Sequence, residues 1–295
     1  MVPEFAVLIC VTAKCYTLGH MTLYAPVLYA LTFILGVSIG SFLNVVIYRL
    51  GSGAGFHGRS KCLSCGRTLT ARMLVPLFSF LFQRGKCAFC GTKISVQYPA
   101  VELSLGLLFV AIVYIRGFDP LAFQWFEALR VVLEMGIWAL LLAIFVYDLK
   151  HKIIPDRFSL LFAVFSGLLL CISSTFLPQT VHYIPFLNEV PPWIDWAAAP
   201  LIALPLALLW LGSAGRAMGL GDAKLAWGIG WFLGFSGGVT AVILSFWIAF
   251  IPSLVLLFLR TKQFTMKSEI PFAPFLVLGT LVTYLFGVDI LSWTF

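Results

Sequence analysis

A chain of 295 residues that is 61% hydrophobic and only 11% charged, with a mean hydropathy of +1.02, is too apolar to be solvated as a free globular domain. It reads as an integral membrane protein. The net charge of +7 is carried on no soluble basic domain, which speaks against nucleic acid as a partner and leaves the lipid bilayer and its anionic headgroups.

Residues 1–23 are predicted to be an N-terminal extension that does not span: Phe5 to Ala13 is apolar but too short, and Lys14 and Cys15 follow without a small-residue cleavage pattern. Apolar runs that approach the roughly 20 residues needed to cross a bilayer then follow at 24–48, 100–116, 130–148, 158–177, 198–214, 223–237, 238–259 and 272–290. The expected fold is therefore an all-α polytopic membrane protein of about eight transmembrane helices. The sixth and seventh of these are separated only by Gly234, Ser236, Gly237 and Gly238. A proline-rich loop from Pro178 to Trp196 is expected to be extended, and Tyr24, Tyr147, Trp193 and Trp196 suit interfacial anchors.

Lysine and arginine collect on the cytoplasmic side of membrane proteins. Here 16 of 19 fall on alternate connections, and only Lys14, Arg116 and Arg130 lie on the other side. That asymmetry predicts both termini outside. Residues 49–99 become a small cytoplasmic domain inserted after the first helix, entered through the glycine-rich segment from Gly51 to Gly55. Its apolar middle, Leu74 to Phe82, is too short to span and would form a small core or lie in the membrane interface.

Within this insertion Cys62-x2-Cys65 is followed, 21 residues later, by Cys87-x2-Cys90, with Gly66 and Gly91 closing each pair. Two such turns present four thiolates to one metal, and a domain of this size with little core gains its fold from the metal bonds. Disulfides are the alternative, but they do not suit a reducing cytoplasm. Structural zinc bound by Cys62, Cys65, Cys87 and Cys90 is the expectation, with no open coordination position for catalysis. Cys10, Cys15 and Cys171 have no such partners and read as free thiols.

The same topology brings Asp148, at the end of the third span, and Asp222, at the start of the sixth, to one membrane face. Carboxylates at span ends are costly to desolvate and mark candidate functional sites. Two that pack together cannot both stay ionised, so they share a proton and titrate as a unit. The ionised member then activates water and the protonated member hydrogen-bonds a scissile carbonyl, which is aspartyl peptide hydrolysis. Gly219 and Gly221 beside Asp222 allow close approach of a substrate strand and unusual backbone conformations. The bland alternative is that each aspartate caps a helix or pairs with a lysine such as Lys150 or Lys224. Asp156, after Ile153-Ile154-Pro155, suits a helix start, where a carboxylate complements the dipole and proline fits. Asp289 lies toward the outer end of the last span and reads as structural. Glu102, after Tyr98-Pro99, is a cap or a site residue.

These motifs resemble the type IV prepilin peptidases, the prepilin leader peptidase/N-methyltransferase family of GxGD-type membrane aspartyl proteases. The resemblance runs from about Gly36 to Gly287. It rests on Gly40-Ser41-Phe42-Leu43-Asn44-Val45-Val46-Ile47-Tyr48-Arg49-Leu50, both cysteine pairs, and Ile94-Ser95-x2-Tyr98-Pro99-x2-Glu102-Leu103. Further along come Asp148-Leu149 with Ile154-Pro155-Asp156, Gly219-Leu220-Gly221-Asp222-Ala223-Lys224-Leu225 and Ile270-Pro271-Phe272-Ala273-Pro274-Phe275. Two departures stand out: members commonly carry an aspartate where this chain has Met73-Leu74-Val75-Pro76, and a glycine where it has Ala273.

The resemblance implies a bacterial plasma-membrane enzyme whose dyad, Asp148 and Asp222, lies at the cytoplasmic border. It makes Cys62, Cys65, Cys87 and Cys90 zinc ligands; Gly219, Gly221, Lys224, Asp156 and Glu102 are expected supporting residues, and the chain is expected to divide into a first helix at 24–48, a methyltransferase-associated zinc domain at 49–99 and a peptidase domain at 100–295. Implied substrates are type IV prepilins and pseudopilins of pilus and type II secretion systems, whose short basic leaders are cut after a glycine. S-adenosylmethionine would then serve N-methylation of the new terminus. Two other classes compete. A presenilin-like or signal-peptide-peptidase-like protease shares Tyr-Asp and Gly-x-Gly-Asp but lacks the four-cysteine insertion. A zinc-binding scaffold or transporter would carry more polar groups in mid-span.

Overall fold

The computed structural model describes residues 24–52, 58–120, 124–176, 193–216, 218–259 and 271–291. The expected N-terminal extension, most of the glycine-rich entry to the insertion, the loop from Pro178 as far as residue 192 and the basic residues between 260 and 270 lie outside them.

Among the described residues the chain is all helical, with no strand beyond two isolated bridges. In order the helices are α1 (Ala25–Ser52), α2 (Phe78–Phe82), α3 (Gln97–Arg116), α4 (Trp125–His151), α5 (Asp156–Phe176), α6 (Trp193–Gly212), α7 (Leu220–Leu259) and α8 (Ala273–Phe286). The expected stretch around Trp193 to Trp196 is thus the first turn of α6 rather than extended loop. Gly51 and Ser52 likewise continue α1 instead of opening a flexible segment.

Six helices are long and apolar enough to cross a membrane, against the eight expected. The difference has two physical sources. The last of the six, Leu220–Leu254, runs through Gly234, where φ is 73° and ψ is −175°, so α7 is two helical limbs meeting at one residue. Only glycine adopts that backbone without strain. The two limbs fold back on each other there, because a Cβ on Gly238 would stand 3.3 Å from the Gly230 Cα, eight residues away along a helix that would otherwise separate them by about 12 Å. Asp195 at the start of α6 accepts the Phe235 amide at 2.9 Å and so caps the second limb. Ser236, Gly237 and Gly238, grouped with Gly234 as a turn by the sequence, are helical. The second source is α8, whose 14 residues fall short of a span.

Close backbone approach joins α1 to α3. A Cβ on Gly36 would meet the Leu105 carbonyl oxygen at 2.7 Å, and one on Gly40 the Glu102 Cα at 2.8 Å. Small residues four apart on one face are the usual device for packing helices in lipid, where no hydrophobic force drives them together. Asn44, buried one turn further along, donates to the Gly40 and Tyr98 carbonyls at 3.2 Å each and ties α1 to the beginning of α3.

At the opposite end of the bundle the fully buried Glu134 of α4 is held by Arg116 at 2.7 Å, Arg130 at 3.3 Å and the Tyr284 hydroxyl at 2.6 Å, linking α3, α4 and α8. Asp289 accepts from Ser236 and Thr240 at the same end, a structural contact that fastens the chain after α8 to α7. Replacing Glu134 by leucine strands two arginines. It is expected to destabilise the bundle by about 3–5 kcal/mol, read as a lowered melting temperature in detergent.

Candidate active site

α4 ends because Lys152 takes a left-handed conformation and Ile153-Ile154-Pro155 cannot continue the helix; the residue before a proline is pushed toward extended backbone. The chain turns and α5 starts at Asp156, with the Pro155 carbonyl accepting the amides of Phe158 and Ser159. This places Asp148 on the last turn of α4, only 4% exposed. Its carboxyl accepts a hydrogen bond from the Ala273 amide, the first residue of α8. A helix N-terminus presents unpaired amides and a positive dipole end, so α8 is aimed at an anionic oxygen.

Asp222 is the third residue of α7 and 6% exposed. It accepts the backbone amide of Gly219, the residue before the helix, in the manner of an acidic N3 residue closing back on the N-cap. Asp222 therefore does cap its helix. Its carboxyl is at the same time close enough to Asp148 for a direct charge–charge interaction. The two aspartates are thus brought together at one end of the bundle from α4 and α7, each held by one main-chain amide.

The supporting residues resolve differently. Lys224 pairs with Asp156 at 2.6 Å rather than with either buried aspartate. Both partners are well exposed, so the pair ties the beginnings of α5 and α7 for a gain of no more than about 1 kcal/mol. Neither Gly219 nor Gly221 has a left-handed backbone among the described residues, which removes the conformational reason given to them by sequence. Gly221 is needed for space instead: a Cβ there would lie 3.0 Å from the Ile154 side chain. Gly221→Val is expected to push the turn between α4 and α5 away from α7, misplace Asp222 and lower activity. Ile154→Ala in the same chain restores it in part, and comparing cleavage by the single and double variants checks the contact.

Glu102 does not join this group. It is the sixth residue of α3, beyond the first turn, so it does not cap that helix, and it faces the cysteine insertion. It accepts the Leu77 amide at 2.8 Å. Leu77 has φ 60° and ψ −54°, and the Phe78 amide reaches back to the Pro76 carbonyl at 2.6 Å, a strained γ-turn. The apolar segment around it is no core: Phe78, Leu81 and Phe82 are all exposed, which fits the interfacial alternative.

The four cysteines come together as expected. The Sγ atoms of Cys62, Cys65, Cys87 and Cys90 lie within 4.8 Å of one another, and the Cys62–Cys90 separation is 3.8 Å. Four thiolates at about 2.3 Å from a central metal stand about 3.8 Å apart along each edge. A disulfide would need about 2.05 Å. Two matching turns build the cluster, with the Gly66 amide on the Cys62 carbonyl and the Gly91 amide on the Cys87 carbonyl, both at 2.9 Å, and left-handed backbones at both glycines. The Thr92 hydroxyl, 3.3 Å from the Cys90 Sγ, and then the Thr92 amide hold that thiol down at about 6. The donor set and spacing fit one tetrahedral ion, and Cys171 stands apart as a free, exposed thiol.

Paired buried carboxyls at the end of an apolar helical bundle, in a chain that also carries a tetracysteine cluster suited to a metal ion, define a membrane protein of the aspartic peptidase class. Comparison with known proteins narrows this. Residues 34–116 match the Bacterial Peptidase A24 N-terminal domain, and residues 135–257 match the Type IV leader peptidase family. The chain is 31% identical over 269 residues to the prepilin leader peptidase/N-methyltransferase of Bacillus subtilis (strain 168), covering 90% of this chain and 96% of that protein. It is 29% identical over 293 residues to the protein of the same name from Aeromonas hydrophila, covering 90% and 93%. No solved structure matches. The chain belongs to the prepilin leader peptidase/N-methyltransferase family.

Three residues have roles that the sequence does not announce, Ala273 at the carboxyl pair and Asn44 and Leu77 around Glu102 and the start of α3. Ala273 appeared only as a departure from a motif, and its contribution is a main-chain amide that no side chain announces. Asn44 was visible as a polar residue inside an apolar run. Leu77 gave no sign, because its role is a strained backbone.

Proposed function

We propose that Asp148 and Asp222 are the catalytic dyad of a membrane aspartic endopeptidase that removes the basic leader of a type IV prepilin or pseudopilin. The observation that carries this reading is the pairing of two buried carboxyls from separate helices, each oriented by a backbone amide. With one proton between them, the ionised member takes a proton from water as its oxygen attacks the scissile carbonyl carbon. The protonated member donates to the carbonyl oxygen and stabilises the tetrahedral intermediate. Collapse of that intermediate breaks the C–N bond, and a proton from the dyad goes to the leaving amine. The amides of Ala273 and Gly219 keep each carboxyl in place through both stages.

By sequence, 16 of the 19 basic residues fall on alternate connections, those next to Asp148 and Asp222 among them, which supports placing the dyad at the cytoplasmic border of the bacterial plasma membrane. Cys62, Cys65, Cys87 and Cys90 would hold a structural zinc ion, and methylation of the new N-terminus would draw on S-adenosylmethionine. In this division residues 49–99 serve methylation and residues 100–295 cleavage. The match across residues 34–116, which includes the cysteine insertion, disfavours a presenilin-like protease and a transport scaffold.

Purified protein incubated with a full-length prepilin, with and without methyl donor, is expected to give a product cut after the leader glycine. Mass analysis of the new N-terminus shows one added methyl group only when donor is present. A pilin left intact under conditions where the protein stays folded would overturn the reading.

A further inference from the structure

A cavity of about 500 Å³ lies between the end of α1, the start of α3 and the cysteine insertion, within the size range of small-molecule sites. Its lining comes entirely from residues 41–102 and includes no residue of α4, α5, α7 or α8, so it is separate from the aspartate pair. Glu102 lines it and is only 6% exposed. The Leu77 amide and the Ser41 hydroxyl satisfy the carboxyl in part. Yet the ion pairs among the described residues are Arg116–Glu134, Arg130–Glu134 and Lys224–Asp156, and Glu102 is in none of them. A buried carboxylate without a cation is costly unless something positive completes it.

The rest of the lining describes that ligand. Tyr48, Phe80 and Tyr98 supply aromatic faces, while the exposed Arg59, Lys61 and Lys93 make an outer edge of positive charge. A fitting molecule has a cationic centre for Glu102, a flat ring for the aromatic side chains and an anionic group for the basic edge. The basic leader of a pilin does not suit this edge. S-adenosylmethionine has all three parts: a sulfonium, an adenine and a carboxylate.

We propose that this cavity is the methyl-donor site, with Glu102 facing the sulfonium, the tyrosine and phenylalanine rings against the adenine, and the basic edge receiving the carboxylate. The assignment rests on the two-activity reading above and adds to it a place for the donor. The strained turn at Leu77 becomes a positioning device, since its amide fixes the Glu102 carboxyl at the cavity wall.

The test is equilibrium binding of S-adenosylmethionine to the full-length, zinc-loaded protein in nanodiscs with no pilin present, together with photocrosslinking by an azido-adenosyl analogue. Saturable binding of one donor per chain is expected, with crosslinks confined to residues 41–48, 73–83 and 92–102. Glu102→Gln and Tyr98→Leu should each weaken binding by at least about tenfold, the scale of a lost contact to a charged group. Zinc content and melting temperature show whether each variant is folded, and the crosslink map on the unmodified chain decides the matter if neither is. No binding, unchanged binding in both folded variants, or crosslinks at residues 148–156 or 219–225 would each overturn the assignment. So would displacement of the donor by a zwitterionic phospholipid headgroup, which would make the cavity a lipid site. Because no peptide is present, failure here leaves leader cleavage, measured on the same preparation, as an independent result.

Discussion

Asp148→Asn and Asp222→Asn are each expected to lower leader cleavage by roughly 10²–10⁴-fold, the usual contribution of a positioned acid or base. Folding should survive. Asparagine keeps an oxygen that can accept the Ala273 amide at 148 or the Gly219 amide at 222, so the orienting hydrogen bonds persist while the shared proton is lost. The two losses should not add, since a dyad acts as one unit, and the double variant should be no worse than the more damaged single one. Cleavage is followed by the mobility and mass of the pilin product, with melting temperature as the control for folding. Full activity in either single variant would remove that residue from the dyad. Lys224→Met is the contrasting case: it breaks an exposed pair with Asp156 and should change stability by no more than about 1 kcal/mol.

The sequence made much of this arrangement legible, for reasons that differ from element to element. A C-x-x-C turn closed by glycine fixes its geometry within six residues, so the cluster at Cys62, Cys65, Cys87 and Cys90 could be drawn from spacing alone. Charge asymmetry across successive spans put Asp148 and Asp222 at one end, because helices in a membrane have only two directions to run. The reversal at Gly234 was located only to within a few residues: several glycines and a serine were available, and the choice depends on Asp195, 39 residues earlier, reaching the Phe235 amide. Glycine roles were the least legible. The need at Gly221 is set by Ile154 in the distant turn between α4 and α5, and at Gly36 and Gly40 by the α3 backbone, contacts that local pattern does not contain.

The fold also keeps the two proposed chemistries apart. The carboxyl pair is built by α4, α7 and the first residue of α8, whereas the cavity around Glu102 is built by α1, α3 and the insertion. The α1–α3 pair is internally tight through Gly36, Gly40 and Asn44, so it can hold the insertion without help from the peptidase helices. An insertion of this size, with its apolar α2 side chains exposed, has little core of its own, so an ion held by the four cysteines would contribute much of its shape.

Removal of that metal should accordingly have the largest structural effect outside the bundle. The protein is expected to carry one zinc ion per chain, measured by elemental analysis. Substitution by cobalt should give the thiolate-to-metal absorption of a tetrahedral four-sulfur site. Metal binding to such sites supplies about 10–16 kcal/mol at neutral pH, far more than a short segment with two cysteine turns, a four-residue 3₁₀ helix and a five-residue α-helix can provide. Cys87→Ser, at the buried ligand, should therefore lose the ion and expose residues 58–96 to proteolysis, while helices α3 to α8 stay protected. Chelation of the unmodified protein should do the same reversibly. Cys62 and Cys87 also line the cavity, so donor binding should fall with the metal. A chain that keeps its zinc after Cys87→Ser, or stays resistant to protease once the metal is stripped, would mean the insertion is held by contacts other than the cluster.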